Sequence, residues 1–236
     1  MDPVAIPEDW DRAVAIVAHP DDLEYGMASA IARFTGQGRQ VFYVLVTSGE
    51  AGIDGMEPDR CRVVREDEQR RSAAAVGVTH VEFLGHPDGA VEYGLPLRRD
   101  IALAIRRLRP EIVFAMNFEL TWGESGAVNH ADHRAVGLAV LDACRDAANR
   151  WMFPGEGEPW GGVSAVYVSG GGQLPTHFVD VADSIEKGVA SLLEHRAYIE
   201  GLGTDFDADR YLRDMAGFGG MAAGRDYAIL LHRFTV

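Results

Sequence analysis

Apolar residues along this chain fall into two alternating patterns. Short continuous runs, Ala13–Ala18 (AVAIVA), Val41–Thr47 (VFYVLVT), His80–Leu84, Ile112–Met116 and Val163–Val168, are bounded by loop residues and read as buried strands. Between them lie longer stretches of helical spacing: Leu23–Thr35 closed by Gly36, about Arg60–Val76 stopped at Gly77, Leu97–Leu108, and about Ala131–Ala148. The final third is less regular. It predicts an amphipathic helix over Ala182–Tyr198, a shorter one over Asp207–Ala216 and a terminal strand over Tyr227–Thr235. Apolar strands separated by helices of about ten residues or more imply a mostly parallel sheet covered on both faces. The expected fold class is therefore α/β, a three-layer Rossmann-like sandwich. No repeat or linker interrupts it, so residues 1–236 are expected to form a single domain.

Composition excludes several classes of function. The 236 residues carry 22 Lys+Arg against 36 Asp+Glu, a formal net charge of −14, which disfavours nucleic acid as a partner. The 47% apolar content is enough to fill a core. The apolar runs fall far short of the roughly 20 residues of a membrane helix, so no membrane insertion is expected. The N-terminal MDPVAIPEDWDR is acidic and lacks the regions of a signal peptide. Cys61 and Cys144 form no CxxC pair and read as packing residues, which points to a reduced, cytoplasmic location. A homo-oligomer is compatible with all of this.

In sheets of this kind ligands bind where strand C-termini give way to loops. Those loops are His19–Leu23, Ser48–Asp59, Gly85–Gly94, Asn117–Asn129 and Ser169–Pro175. The first strand runs directly into His19-Pro20-Asp21-Asp22-Leu23-Glu24. Carboxylates packed so densely repel unless a cation joins them, and His nitrogen and carboxylate oxygen are suitable zinc ligands. The plain alternative is that Asp21 or Asp22 caps the helix that follows. A second cluster, Asn129-His130-Ala131-Asp132-His133-Arg134, opens the helix after the fourth core strand. Spacing of i, i+3 places His130 and His133 on one side of that helix. An exposed helix start, capped by Asn129, is the bland reading of this cluster.

The combination AHPDDLEYG at Ala18–Gly26 with HADHRAVG at His130–Gly137 resembles the signature of the LmbE-like (PIG-L) family of metal-dependent de-N-acetylases, which includes GlcNAc-phosphatidylinositol de-N-acetylase. Smaller echoes are TSGEAG at Thr47–Gly52, the helix carrying Arg65, Glu66 and Glu68, and Phe83-Leu84-Gly85 before Asp88-Gly89. The resemblance implies that His19, Asp22 and His133 bind one divalent ion, with Asp21 as general base and His130 as electrophilic partner. It implies Zn2+, with Fe2+ and Co2+ as alternatives for a mixed His/carboxylate site. A metal centre would sit within about residues 13–150, and 151–236 would complete the fold and the pocket. The chemistry agrees, because zinc lowers the pKa of bound water toward about 7 and amide hydrolysis needs a base. A protonated His130 would stabilise the tetrahedral oxyanion. Three departures stand out: Ala131 replaces the usual Pro, the late H-x-S-Q reads His195-Arg196-Ala197-Tyr198, and the usual C-terminal Ala-Glu is Ala228-Ile229.

The substrate implied is a small N-acetylated amino sugar of the N-acetylglucosamine type. Asp88 and Glu119 would bind its hydroxyls, Trp122 would cover a ring face, and Arg65 would supply a local positive charge. Each has a simpler reading: Asp88 as a turn residue, Arg65 and Glu68 as a surface pair one helical turn apart. Ser169-Gly170-Gly171-Gly172 follows a strand but precedes no helix, so a turn or site wall is expected there rather than a dinucleotide cradle. His80, His86, His177 and His232 lack partners at ligand spacing and read as structural, while His195 stays open. Three other readings compete with a deacetylase: an amidase of a larger amino-sugar thiol conjugate, a metal-binding protein without turnover, and a nucleotide-dependent oxidoreductase. The last lacks G-x-G-x-x-G after its first strand.

Overall fold

The computed structural model describes residues 2–122, 126–203 and 206–236. In chain order the elements are β1 (Val4–Ala5), β2 (Arg12–Val17), α1 (Asp22–Gly26), α2 (Ala28–Gly36), β3 (Gln40–Leu45), α3 (Pro58–Ala75), β4 (Val81–Phe83) and α4 (Leu95–Leu108). There follow β5 (Ile112–Met116), α5 (Ala131–Ala148), β6 (Ala165–Ser169), β7 (His177–Asp180), α6 (Ile185–Leu192), α7 (Arg196–Gly201), α8 (Ala208–Ala223) and β8 (Ala228–Thr235). The eight strands form one sheet in the order β1-β7-β8-β6-β5-β2-β3-β4. Only β8 runs antiparallel to its neighbours, β6 and β7. Every other pairing is parallel.

Strand alternation sorts the core into two layers. Ala13, Ala15 and Val17 of β2 face a cluster that includes Ile31 and Phe34 of α2 and Ala73 of α3. Val14, Ile16 and Ala18 face the opposite cluster, which includes Leu97, Ile101 and Ile105 of α4 and Val140 and Ala143 of α5. β2 is thus apolar on both sides, as a buried parallel strand requires. Cys61 and Cys144 are both free and buried, and burial pushes the Cys144 thiol up to about 12, in keeping with a packing role.

The structure corrects the expected elements at four places. The helix expected over Leu23–Thr35 is broken at Met27, whose φ of −137° leaves the helical region and separates α1 from α2. The break turns α1 aside as its own short element, with Asp22 and Glu24 buried on it. The helix expected over Ala182–Tyr198 is likewise divided into α6 and α7, because the chain turns at Leu193–His195 to bury His195. The short strands β1 and β7 carry too few residues for a period-2 pattern to register. Finally, α8 continues past Ala216 to Ala223 in spite of three glycines. Two of them permit close approach: a Cβ on Gly219 would lie 2.2 Å from the Ala228 carbonyl oxygen, and one on Gly220 would lie 2.5 Å from that of Arg225.

Candidate active site

Sheet order reverses around β2: β3 lies on one side and β5 on the other. The crevice at the C-terminal ends of two such strands is the place where α/β sheets bind ligands. His19 leaves the end of β2, and His133 lies in the first turn of α5, which follows β5. The two sequence clusters therefore meet. Nδ1 of His19 lies 3.1 Å from Nε2 of His133, and that nitrogen lies 3.1 Å from Oδ1 of Asp22. His19 Nδ1 is 3.7 Å from the other oxygen of Asp22. Tetrahedral bonds of about 2.0–2.1 Å separate ligand atoms by roughly 3.3–3.4 Å, so the triangle fits one ion such as zinc.

The remaining polar atoms of these side chains are already engaged in the manner a metal site needs. Asp22 Oδ2 accepts from the amides of Ala18 (3.1 Å) and His19 (2.8 Å), which leaves Oδ1 for the triangle. Nδ1 of His133 lies 2.9 Å from Asn129 Oδ1. Nε2 of His19 lies 3.1 Å from Asp88 Oδ1 and 3.2 Å from Asp132 Oδ2. Each imidazole thus donates its outer N–H to an oxygen and turns the other nitrogen inward. Burial opposes ionisation of Asp22, yet His133 and His19 hold its pKa far below the usual carboxylate range. Burial likewise lowers the His19 pKa, but Asp132, Asp22 and Asp88 outweigh it and raise it well above the ordinary value.

A second donor group, His19, His130 and Asp132, also lies within reach of one centre. Its acceptors are spent elsewhere. Asp132 takes the amides of Gly89 (2.7 Å) and Val91 (3.1 Å), and His130 Nδ1 takes the amide of Asp132 (3.2 Å). His130 is the N-cap of α5 and remains exposed, its ring 4.9 Å from that of His19. Burial and His19 lower its pKa against the opposing pull of Asp132. With Nδ1 accepting, the proton sits on Nε2.

Asp21 occupies the N-cap place of α1 at φ 83°, but its side chain makes no cap bond. Its Oδ2 instead receives Arg65 Nη2 at 2.7 Å. Burial pushes the Asp21 carboxyl up to about 6, against the pull of Arg65 and with help from Asp22. Arg65 and Glu68 are not a surface pair, as each is only 2–3% exposed. Arg65 donates to the carbonyls of Gly49 (3.0 Å) and Pro20 (2.6 Å) and stacks on Tyr198 at 4.5 Å, and Glu68 accepts the Ala197 amide at 2.7 Å.

Of the other expected sugar contacts, Asp88 is drawn to His19 and to the Ala51 amide (2.8 Å). Glu119 accepts from Gln173 Nε2 at 2.8 Å, and the Trp122 ring stands edge-on to His133 at 5.6 Å. Their loop is pinned by the Thr121–Val128 bridge and by Asn129 Nδ2, which donates to the carbonyls of Asn117 and Glu119. Positions 123–125 of this loop lie outside the described residues. Gly170, Gly171 and Gly172 all have φ between 81° and 88° and form a wall against this loop, where a Cβ on Gly172 would meet Asn117 Oδ1 at 2.4 Å. His195 does not reach the cleft, being fully buried with Nε2 3.6 Å from Glu24 Oε2. His86 pairs with Asp100 and His232 with the Leu174 carbonyl, as structural residues do. Sequence reasoning left Asn129 and Asp132 without the roles they hold here as partners of His133 and His19. Their position inside the HADH run was the available signal.

Fold and donor set together define a class: an α/β protein whose sheet crevice brings a group able to hold a metal ion beside a buried carboxylate. Comparison with known proteins narrows it. The chain belongs to the PIG-L family, GlcNAc-PI de-N-acetylase, whose profile matches residues 14–144. It is 29% identical over 229 residues to diacetylchitobiose deacetylase of Thermococcus kodakarensis, covering 93% of this chain and 82% of the relative. The solved N,N'-diacetylchitobiose deacetylase of Pyrococcus horikoshii superposes with a TM-score of 0.83 at 24% identity, over 97% of this chain and 85% of that one. GalB of Pseudomonas putida KT2440, a 4-carboxy-2-hydroxymuconate hydratase, shares the fold at a TM-score of 0.75 and 21% identity, covering 96% of this chain and 97% of that one. Fold alone therefore does not settle the reaction.

Proposed function

We propose that the protein removes the acetyl group from an N-acetylglucosamine-type amino sugar or its conjugate, with Zn2+ as the resident ion and Fe2+ or Co2+ as alternatives. The observation that carries this reading is the convergence of His19, Asp22 and His133 beside the buried carboxylate of Asp21. Similarity to a diacetylchitobiose deacetylase across 93% of the chain supports the amino-sugar class. A divalent ion supplies Lewis acidity and a water of lowered pKa. Asp21, with its pKa raised to about 6, is ionised at neutral pH and accepts the proton of the attacking water. The same carboxyl then returns a proton to the leaving amine. His130 presents its Nε2–H to the developing oxyanion, with Nδ1 occupied by the Asp132 amide. We assign Trp122 to a ring face and Glu119 to hydroxyls, whereas Asp88 and Arg65 border the sugar from their places beside His19 and Asp21. We place the reaction in the cytoplasm, where unpaired Cys61 and Cys144 stay reduced.

The test is primary-amine release after chelation and reconstitution with each ion. The panel holds N-acetylglucosamine, N,N'-diacetylchitobiose, conjugated N-acetylglucosamines including thiol adducts, and acetyl-lysine peptides. Turnover confined to amino sugars is expected. Turnover on acetyl-lysine alone overturns the sugar assignment, and no turnover on any member overturns the reading as a whole.

A further inference from the structure

We propose that Gln69 is a positioning residue, which clamps the backbone of Asp21 and ties it to the buried Glu24–His195 pair. The inference rests on Asp21 being the general base. Asp21 sits at φ 83°, a left-handed conformation that a residue with a Cβ adopts only when its surroundings hold it there. Its carbonyl accepts from the amides of Glu24 (2.9 Å) and Tyr25 (3.2 Å), and its carboxylate is held by Arg65. The remaining handle is its own N–H, which donates to Gln69 Oε1 at 3.0 Å.

The orientation of Gln69 is settled by its partners. A backbone amide can only donate, and the ionised Glu24 carboxylate can only accept. Gln69 Nε2 therefore points to Glu24 Oε1, 3.0 Å away, and its oxygen to Asp21. Ser72 Oγ donates to the same Glu24 oxygen at 2.5 Å, and His195 Nε2 lies 3.6 Å from the other. Gln69, Ser72 and His195 are wholly inaccessible, and Glu24 is 1% exposed, so bulk solvent does not compete for these partners. Arg65 and Gln69 stand one turn apart on α3, and together they hold the side chain and the backbone of one residue. Without the Gln69 acceptor the turn relaxes and the carboxylate swings from its position at the cleft.

The decisive variant is Gln69→Met, close in size but unable to bridge the two groups. In chelated protein, exchange of the Asp21 amide followed by NMR should accelerate about tenfold, while the Ala18 amide, bound to Asp22, serves as internal control. On whichever amino sugar the wild-type enzyme turns over, kcat should fall about 10–100-fold with KM within about threefold and metal content unchanged. In an Asp21→Asn background the same change should cost less than about threefold, because it acts through a carboxylate already removed. Unchanged exchange at Asp21, full kcat, or an undiminished loss in the Asp21→Asn background overturns the proposal. Should Gln69→Met fail to fold, Gln69→Asn keeps the polarity but cannot span the gap, and the same outcomes apply. If the wild-type enzyme is inactive on every amino sugar, the exchange result still decides the clamp, and only the proposed function falls.

Discussion

His19 spends both ring nitrogens, one on the donor triangle and one on Asp88 and Asp132. Carboxylate-bound imidazoles are better ligands, so Asp132→Asn should weaken metal binding by about 10–100-fold in a zinc titration. Asp21→Asn should leave that titration unchanged and lower kcat by about 10²–10⁴-fold. His195 offers a different check, on stability. Burial lowers its pKa, but Glu24, with a smaller contribution from Asp21 and against Arg65, raises it overall. The sign follows from linkage: stabilisation by the charged ring is complete below the unfolded pKa of about 6.5 and is lost as pH rises through the higher folded value. The urea midpoint should therefore fall across that upper range in the wild type, and His195→Gln should remove this component of the slope. The two runs that meet at the cleft were legible because each is short and their combination carries the family resemblance. Gln69 and Glu24, 45 residues apart, were not, since no local pattern announces a buried pairing across that distance.

Strong patterns over long elements were read well at this second scale: α4, α5 and the strands around β2 lie close to where apolar spacing put them. The elements misread are those in which tertiary demand overrides propensity. Met27 breaks a good helical pattern, and the helix expected through His195 ends early so that this ring can enter the core. The glycines of α8 are the reverse case, since poor helix formers stay helical to bring the helix against β8. Gly219→Ala tests this reading. Elsewhere in a helix interior that change stabilises, but here it should cost about 1–3 kcal/mol by overpacking, measured as a lowered denaturant midpoint at constant m.

At the scale of the molecule, the sheet order gives β8 a special place, between β6 and β7 rather than at an edge. Within the sheet, β1 and β7 reach the remaining strands only through it. Removing residues 2–6 trims an edge and should lower Tm by a few degrees. Removing residues 228–236 severs the sheet and should leave no cooperative transition by calorimetry. The same order has a consequence for synthesis. His19, Asp22 and His133 are all in the chain before residues 134–227 are added, an interval of roughly 5–20 s at about 5–20 residues per second. Throughout it the nascent chain carries all three candidate donors without β8, the strand that joins β6 to β7. A premature stop between residues 134 and 227 therefore yields a fragment that bears the three candidate donors but lacks the joining strand, and quality control must clear it.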